Sequence, residues 1–314
     1  MTRIILTGAG FSHNWGGWLA SEAMEYLLGC PEITQGIRAT LWKHKPYLGF
    51  EGALEELALQ STQDYQTLNR MLEGMFNAMN NAFGDFEPGQ HNRIGPQPTS
   101  VRNFLCRFDA IFTLNQDTLL ERKYQTSDVR EGSSGRWLGF HSPGLFKEMN
   151  AGVPTGYFRP HDPPFALKER YQSYFKLHGS SNWRTPNGSS LLIMGLSKNA
   201  VIDGIELLSW YRRQFEDMLH RPDTHLMIIG YSFRDKHINE IILKGARNGT
   251  KLFIIDPRGV DVLENIDSRA FHLGSEDRST LQNSILGASR RPFLTSVSNQ
   301  IEMTKINRFF PLFP

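Results

Sequence analysis

Cysteine, strong net charge and long apolar runs are all scarce in this chain, and each scarcity excludes a class of protein. The 314 residues include two cysteines, Cys30 and Cys106, too few for a four-cysteine zinc site or a disulfide framework. A formal charge of +2 without a block of Lys or Arg gives no reason to expect direct nucleic-acid binding. No run approaches the ~18 consecutive apolar residues of a membrane helix. We therefore expect a globular, cytoplasmic protein without zinc.

Six short apolar runs predict β-strands, and helical patterns lie between several of them. The runs cover residues 4–7, 110–114, 174–177, 191–194, 226–229 and 252–255. Most of them lack polar alternation, as expected for strands that are covered on both faces. This order predicts an α/β, Rossmann-like fold with a largely parallel six-stranded sheet and helices on both faces.

Two long segments interrupt this alternation. Residues 18–101 separate the first two strands by far more than one crossover helix, which predicts a helical insertion after the first strand. Residues 125–172 are rich in Gly, Ser, Pro and His and have no clear period, which is typical of a functional loop or lid. No convincing linker divides the chain, so we expect residues 1–314 to form a single domain.

One helical pattern in the insertion carries an apolar stripe at three- and four-residue spacing. Its members are Leu68, Met71, Leu72, Met75, Phe76, Met79 and Phe83. The spacing favours plain core packing, and a ligand groove is the alternative.

Polar residues or glycines directly follow five of the six predicted strands. The segments at these ends contribute Gly8, Ala9, Gly10, Phe11 and Ser12 after the first strand, Thr113, Asn115 and Asp117 at the second, His178 after the third, Gly230 and Ser232 after the fifth, and Asp256 after the sixth. Ligands of open α/β sheets bind beyond the carboxyl ends of the strands. The pattern therefore predicts one shared site.

Each piece alone has a simpler explanation. The turn at Gly8-Ala9-Gly10 does not complete a G-x-G-x-x-G pattern and needs no ligand. Asn115 and Asp117 could cap a helix, and His178 could be a core histidine. Asp256 could simply initiate a turn. Only the combination and its order point to a ligand.

In this order the motifs at the strand ends resemble those of the sirtuin-like (SIR2) family, and the resemblance runs from residue 4 to about residue 260. The Gly-Ala-Gly-x-Ser loop begins at Gly8 and the Thr-x-Asn-x-Asp segment at Thr113. The His-Gly pair begins at His178, the Gly-x-Ser turn at Gly230, and the acidic strand end is Asp256. The resemblance implies a protein that binds NAD⁺.

The resemblance also implies roles for individual residues. Backbone N–H groups around Gly8 to Ser12 would hold the pyrophosphate, and Asp256 would accept hydrogen bonds from the adenosine ribose. Asn115 would hold the ribose and the water or nicotinamide amide. His178 would accept a proton, and Asp117 would orient the nicotinamide ribose or carboxamide. The NAD-binding set implied in this way is Gly8, Ala9, Gly10, Phe11, Ser12, Thr113, Gly230, Ser232 and Asp256.

Two departures from the deacetylating members narrow the implied activity. Gly16-Gly17-Trp18-Leu19-Ala20 replaces their Gly-Ile-Pro-Asp-Phe-Arg segment, and residues 180–195 carry no cysteine where they have a zinc module. The chain therefore looks like the bacterial anti-phage branch, which hydrolyses NAD⁺ and depletes it during abortive infection. We expect NAD⁺ as substrate, and gating by self-assembly as a homo-oligomer or by a companion defence protein encoded nearby.

Other functions stay open at this point. The second reading is an NAD⁺-dependent protein deacylase or ADP-ribosyltransferase, and the third is a non-catalytic sensor of NAD⁺ or ADP-ribose. The scattered histidines lack metal-ligand spacing, so we predict no metal site. Arg234, Asp235 and His237 stand at the start of a predicted helix, where they could contact nucleotide or a neighbouring subunit; capping by Asp235 is the simpler interpretation.

Overall fold

The computed structural model is an α/β protein with a helical cap. Within the part of the chain that is described, no helix combines the length and apolarity needed to cross a membrane. The described residues are 1–46, 49–85, 100–125, 136–148, 157–195, 198–266, 274–296 and 299–310.

A seven-stranded sheet forms the centre of the molecule, and each of its strand pairs is parallel. Its strands are β1 (Thr2–Thr7), β2 (Ala110–Thr113), β3 (Gly139–His141), β6 (Tyr171–Lys176), β9 (Thr224–Ile229), β10 (Lys251–Ile255) and β11 (Ile285–Ser289). Their spatial order is β11-β10-β9-β1-β2-β6-β3. The predicted fold class is confirmed, with seven strands rather than six.

A second, four-stranded sheet has the order β4-β5-β7-β8. Its strands are β4 (Leu145–Glu148), β5 (Tyr157–Pro160), β7 (Gly179–Arg184) and β8 (Ser190–Leu192). The predicted strand at residues 191–194 belongs to this sheet, because residues 190–192 pair antiparallel with β7. Its placement in the parallel sheet was wrong. The run is apolar because Leu191 and Ile193 pack into the core with Trp183.

Helices surround the main sheet and form the insertion. They are α1 (Ala9–His13), α2 (Ala20–Gly29), α3 (Gln35–His44), α4 (Gly49–Gln60), α5 (Thr62–Ala82), α6 (Val101–Leu105), α7 (Lys198–Gly204), α8 (Glu206–Leu219), α9 (Lys236–Arg247), α10 (Ser275–Ser284), α11 (Phe293–Ser296) and α12 (Gln300–Asn307). A π-helical turn covers Glu121–Gln125 and a 3₁₀ helix covers Gly259–Ile266.

The segment predicted as an irregular loop, residues 125–172, contains three complete strands. These are β3, β4 and β5, and β6 begins at Tyr171. Each of the three has at most four residues, which is too short for a sequence period to emerge. The described part of this segment therefore supplies a sheet edge and half of the second sheet.

Apolar side chains cover both faces of the main sheet, which explains why its strands lack polar alternation. Ile4 and Leu6 of β1 pack on one face with α8 and α9, whereas Ile5 packs on the opposite face. Phe309 and Phe310, near the chain end, belong to the same cluster as Ile5. Residues 309 and 310 therefore pack on the same face of the main sheet as Ile5.

The predicted helical insertion is present and has a core of its own. Helices α2 to α5, which we call the helical cap, bury a separate apolar cluster that includes Leu27, Leu54 and Leu72. The stripe on α5 packs in the core, as predicted, and part of it also faces a cavity. Its residues Leu68 and Leu72 are fully buried, whereas Met75, Phe76 and Met79 also line a cavity.

The two cysteines are buried and form no disulfide, and we expect them to resist thiol reagents in the folded protein. Burial raises the pKa of Cys106 to about 11 and also raises the pKa of Cys30. Because the thiolate is the reactive form, labelling with Ellman's reagent at mildly alkaline pH should be slow. After denaturation both thiols should react at once. Rapid labelling of either thiol in the native protein would contradict the burial seen here.

Candidate active site

A cavity of about 930 Å³ lies at the carboxyl edge of the parallel sheet. Five strands each bring one residue to it just beyond their ends: Gly8 after β1, Asn115 after β2, His178 after β6, Gly230 after β9 and Asp256 after β10. Ligands of open α/β sheets bind at this position. Polar strand ends that are far apart in the sequence thus share one cavity.

The helical cap supplies another wall of this cavity. Phe50 of α4 lines it, as do Met75, Phe76 and Met79 of α5. A ligand among the strand ends would therefore also meet an apolar surface. Such a surface restricts the access of bulk water to the ligand.

The two glycine turns after β1 and β9 pack directly against each other. The N–H of Gly8 donates to the Ile229 carbonyl and that of Gly10 donates to the Gly230 carbonyl, each at 3.0 Å. A Cβ at Gly8 would lie 2.5 Å from the Gly230 oxygen, and one at Gly10 would lie 2.8 Å from the Gly230 Cα. Gly230 itself has a φ of +62°. Packing between the turns thus requires these glycines, independently of any ligand.

Asn115 ties the first glycine turn to the end of β2. Its Nδ2 donates to the Gly8 carbonyl at 3.0 Å and to Ser12 Oγ at 2.9 Å. Because a backbone carbonyl can only accept, this pairing fixes the orientation of the amide and uses both Nδ2 hydrogens. The remaining polar atom, Oδ1, is an acceptor on a side chain that lines the cavity.

Ser12 links Asn115 to Asp117. Its hydroxyl accepts from Asn115 and is hydrogen-bonded to the Asp117 carboxylate. Asp117 Oδ1 also accepts from the Leu119 N–H at 3.0 Å. Burial raises the pKa of Asp117, against the lowering effects of Lys176 and of these hydrogen bonds. The three side chains form one connected polar network between the first turn and the end of β2.

A buried ion pair supports this network from β6. Lys176 Nζ donates to the Asp117 carbonyl and to Glu121 Oε1, the latter at 2.8 Å. The Tyr174 hydroxyl donates to the other oxygen of Glu121 at 3.3 Å. The side chains of Lys176 and Glu121 are only 1% and 3% exposed. The backbone at Asp117 is therefore held by a hydrogen bond from the buried ammonium group of Lys176.

His178 occupies the connection between the two sheets, directly before β7. Gly179 follows it with a φ of +71°, and a Cβ there would collide with the Leu191 carbonyl. Burial lowers the pKa of His178 to about 3. Its imidazole is therefore neutral near physiological pH, whereas an unperturbed histidine would titrate close to that range.

A charged cluster lies beside His178. Lys198 Nζ of α7 is 2.9 Å from Glu51 Oε1 of α4 and 3.0 Å from Asp235 Oδ1, which follows β9. Burial alone would lower the pKa of Lys198, but the two carboxylates raise it. Burial alone would raise the pKa of Asp235, but Lys198 helps to bring it to about 2. His237 Nε2 lies 3.2 Å from His178 Nε2.

The far end of the cavity is formed by Asp256 and by the C-terminal part of the chain. Asp256 Oδ1 accepts from the Arg258 N–H at 2.8 Å, and partial burial raises the pKa of this carboxyl. The exposed Ser232 and residues 292–295 also line the cavity. Residues 292–295, which follow the segment that resembles the SIR2 family, thus complete this end of the cavity.

Three of the sequence-predicted site residues do not line the cavity. Phe11 packs against Trp15 and Phe293, with ring centroids 5.2 Å and 5.3 Å away. Thr113 Oγ1 accepts from Thr7 Oγ1 at 2.8 Å, between β2 and β1. Ser12 is buried and acts through Asn115 and Asp117. The other predicted residues, Ala9 included, lie at the cavity wall.

Sequence reasoning missed the charged cluster. Asp235 takes the N-cap position of α9 as predicted, but its side chain makes no capping hydrogen bond there and pairs with Lys198 instead. Glu51 and Lys198 stand in segments whose patterns indicated only helices. The closeness of His237 to His178 depends on tertiary structure, because 59 positions separate them.

Comparison with known protein families identifies the chain. The family model of the SIR2-like domain matches residues 109–272, which is more than half of the sequence. The chain belongs to the SIR2-like family. The matched region of this SIR2-like protein includes Asn115, Asp117, His178 and Asp256. It does not include the first glycine turn.

Solved structures of Sir2 proteins align with most of the SIR2-like chain. One, described in connection with the mechanism and regulation of Sir2 enzymes, is 13% identical over 90% of this chain and 92% of its own, with a TM-score of 0.39. Another is Sir2 in complex with an inhibitor, 2'-O-acetyl-ADP-ribose and a deacetylated peptide; it is 11% identical over 97% of this chain and 94% of its own, with a TM-score of 0.39. No curated protein matches the chain.

Proposed function

We propose that this SIR2-like protein hydrolyses NAD⁺ at the nicotinamide–ribose bond. The observation that carries the proposal is the convergence of Asn115 and His178 on one cavity at the carboxyl edge of the sheet. At about 930 Å³ the cavity is near the upper end of the ~300–1,000 Å³ range of small-molecule sites, which gives room for a dinucleotide.

The proposed position of NAD⁺ follows the strand ends. Its pyrophosphate lies over the two glycine turns, and Asp256 accepts from the hydroxyls of the adenosine ribose. The N–H groups of Gly8, Gly10 and Phe11 already donate within the protein. The first turn therefore contributes fewer amide donors to the pyrophosphate than the family resemblance implies.

The reaction needs orientation more than strong acid. The C1'–N bond breaks and its electron pair stays on nicotinamide, which leaves as a neutral molecule. A water oxygen then bonds to C1' and releases a proton. Because the transition state resembles an oxocarbenium ion, acceptors placed beside the ribose stabilise it. Asn115 Oδ1 and the neutral imidazole of His178 are such acceptors.

The low pKa of His178 changes the role implied for it by the resemblance. An imidazole whose pKa is about 3 does not hold a proton taken from water near neutral pH. We therefore assign His178 to accepting a hydrogen bond from a ribose hydroxyl while it stays neutral. Asp117 orients the same region through Ser12 and Asn115. The water proton passes to solvent.

We further propose that hydrolysis serves anti-phage defence by depleting NAD⁺ in infected cells. An enzyme of this kind needs restraint, because free activity would harm its own cell. Self-assembly or a companion protein would supply that restraint. Purification together with the products of neighbouring genes, followed by an NAD⁺ consumption assay with and without them, tests this part.

The reaction itself is tested by identifying its products with mass spectrometry. We expect free nicotinamide and ADP-ribose in equal amounts from the purified full chain. Acyl-ADP-ribose or a modified protein would instead support the deacylase or transferase reading. Tight binding without turnover under any activating condition would support the sensor reading.

Replacement of His178 should slow this reaction measurably. Loss of one hydrogen bond to a charged transition state predicts a fall of about 10- to 100-fold in His178→Ala. The exposed His220, whose ring contacts only its own helix among the described residues, provides the control variant His220→Ala. Full activity in a folded His178→Ala variant would refute the role given to this residue.

A further inference from the structure

A group of potential metal ligands lies where the cavity meets α9. His178, His237 and Asp235 each offer a ligand atom, and these atoms all lie within 4.8 Å of one another. We propose that these three side chains form a binding site for a divalent transition-metal ion of the zinc class. The proposed hydrolysis uses His178 but neither His237 nor Asp235, so the two sites share one residue.

The distance between the two imidazoles suits zinc. Tetrahedral Zn²⁺ with Zn–N bonds of about 2.0–2.1 Å needs nitrogens roughly 3.3 Å apart. His178 Nε2 and His237 Nε2 are 3.2 Å apart. The ligand atom of Asp235 lies within 4.8 Å of both nitrogens. Since His178 and Asp235 line the cavity, water can take the fourth position, as in zinc sites with three protein ligands.

The hydrogen bond between the two rings bears on metal binding. It requires one of the two Nε2 atoms to act as acceptor, so that atom carries no proton. Neutral imidazole is the form that binds zinc. One Nε2 carries the proton of the present hydrogen bond between the rings. That proton moves to Nδ1 of the same ring when the metal takes its place.

Neighbouring residues hold the third ligand in place. Lys198 binds Oδ1 of Asp235 at 3.0 Å and leaves the other carboxylate oxygen for the metal. The positive charge of Lys198 is shared with Glu51 at 2.9 Å, which weakens its repulsion of a cation. Metal-ligating carboxylates are commonly hydrogen-bonded in this way by a second group. His237 lies in the first turn of α9, so a regular element fixes its backbone.

Occupancy of this site should inhibit the proposed hydrolysis, and this part rests on the proposed function. The transition state develops positive charge at the ribose. A divalent cation bound to His178 would repel that charge and would occupy the ring that accepts the ribose hydrogen bond. We therefore expect zinc to reduce NAD⁺ hydrolysis and a chelator to restore it.

Metal binding is tested directly on the full chain after treatment with a chelator. Calorimetric titration with Zn²⁺ should give one site per chain, and Co²⁺ should develop the intense visible absorption of tetrahedral coordination. X-ray absorption at the zinc edge should detect two imidazole ligands in the wild-type protein, which requires no variant. Absence of saturable binding, or a bound ion without imidazole ligands, would overturn the proposal.

Variants then assign the ligands. His237→Gln and Asp235→Asn should each weaken Zn²⁺ binding by at least about 10- to 100-fold, the loss typical even of outer-shell changes. The matched control His220→Gln should bind like the wild type. If both site variants melt like the wild type and bind Zn²⁺ unchanged, the assignment is wrong.

The spectroscopic results separate this proposal from the proposed function. A chain that binds metal but never consumes NAD⁺ would refute hydrolysis and leave the metal site standing. A chain that hydrolyses NAD⁺ but binds no metal would refute the metal site and leave the proposed hydrolysis standing. Hydrolysis that zinc leaves unchanged at full occupancy would refute the inhibitory consequence.

Discussion

Asn115→Ala should lower the rate of NAD⁺ hydrolysis by more than about 100-fold while the protein remains folded. Removal of one preorganised polar group from an active site typically costs this much. Asn115 combines two tasks, since its Nδ2 binds the first glycine turn and its Oδ1 is the acceptor left for the ligand. The effect should therefore exceed that of His178→Ala. Steady-state assays with purified variants measure both.

A second variant separates the two tasks of Asn115. Asn115→Asp keeps the acceptor but cannot donate to the Gly8 carbonyl, which would face a carboxylate instead. We expect it to be as inactive as Asn115→Ala. Recovery of activity in Asn115→Asp would show that the tie to the glycine turn is dispensable. The exposed Asn283 of α10 offers the control Asn283→Ala, which should retain wild-type activity.

Lys176→Met should produce a large loss of stability. The substitution removes the ammonium partner of the buried Glu121 carboxylate. The Tyr174 hydroxyl still donates to this carboxylate but carries no charge. Breaking a buried pair in this way costs about 3–5 kcal/mol in the free energy of unfolding. That is a large part of the ~5–15 kcal/mol that a typical domain has. Urea unfolding followed by circular dichroism gives the difference.

An exposed pair provides the comparison for Lys176. Lys244 and Glu216 are 2.9 Å apart, but their side chains are 54% and 32% exposed. Lys244→Met should therefore change stability by less than about 1 kcal/mol. In addition, the double variant Lys176→Met with Glu121→Gln should recover part of the loss, because the charge of Glu121 is removed together with that of its partner. Equal effects of Lys176→Met and Lys244→Met would contradict the role given to burial.

The sequence predicted the centre of the fold because its strands are apolar on both faces. Ile4, Ile5 and Leu6 illustrate this: the three adjacent residues are all fully buried. The edge strands β3 and β11 escaped prediction for physical reasons. β3 has three residues, and the apolar run of β11 is interrupted by Gly287 and ends at Ser289. Short edge strands depend on the neighbour they pair with more than on their own pattern.

The candidate site was predictable where it depends on strand ends. Asn115, His178 and Asp256 each follow an apolar run, and that position alone brings them to one sheet edge. Their protonation was not predictable. The pKa of His178 is lowered mainly by burial, which depends on tertiary packing.

The contacts that the helical insertion makes also could not be predicted from the sequence. Glu51 contributes to the cluster at Asp235 only because the helical cap folds over the main sheet. A helical pattern gives the face that is buried but not the element against which it packs. The proximity of His178, Asp235 and His237 likewise depends on tertiary packing, because residues 235 and 237 lie far from residue 178 in the sequence.

The central position of β1 has a consequence for biosynthesis. The register of β1 places Ile4 beside Ala110 on one side and beside Leu226 on the other. During synthesis β1 therefore emerges well before its two partner strands. β2 follows more than a hundred residues later, and β9 follows more than two hundred residues later. Its apolar side chains stay without a sheet during that interval, and apolar surface exposed in this way favours aggregation.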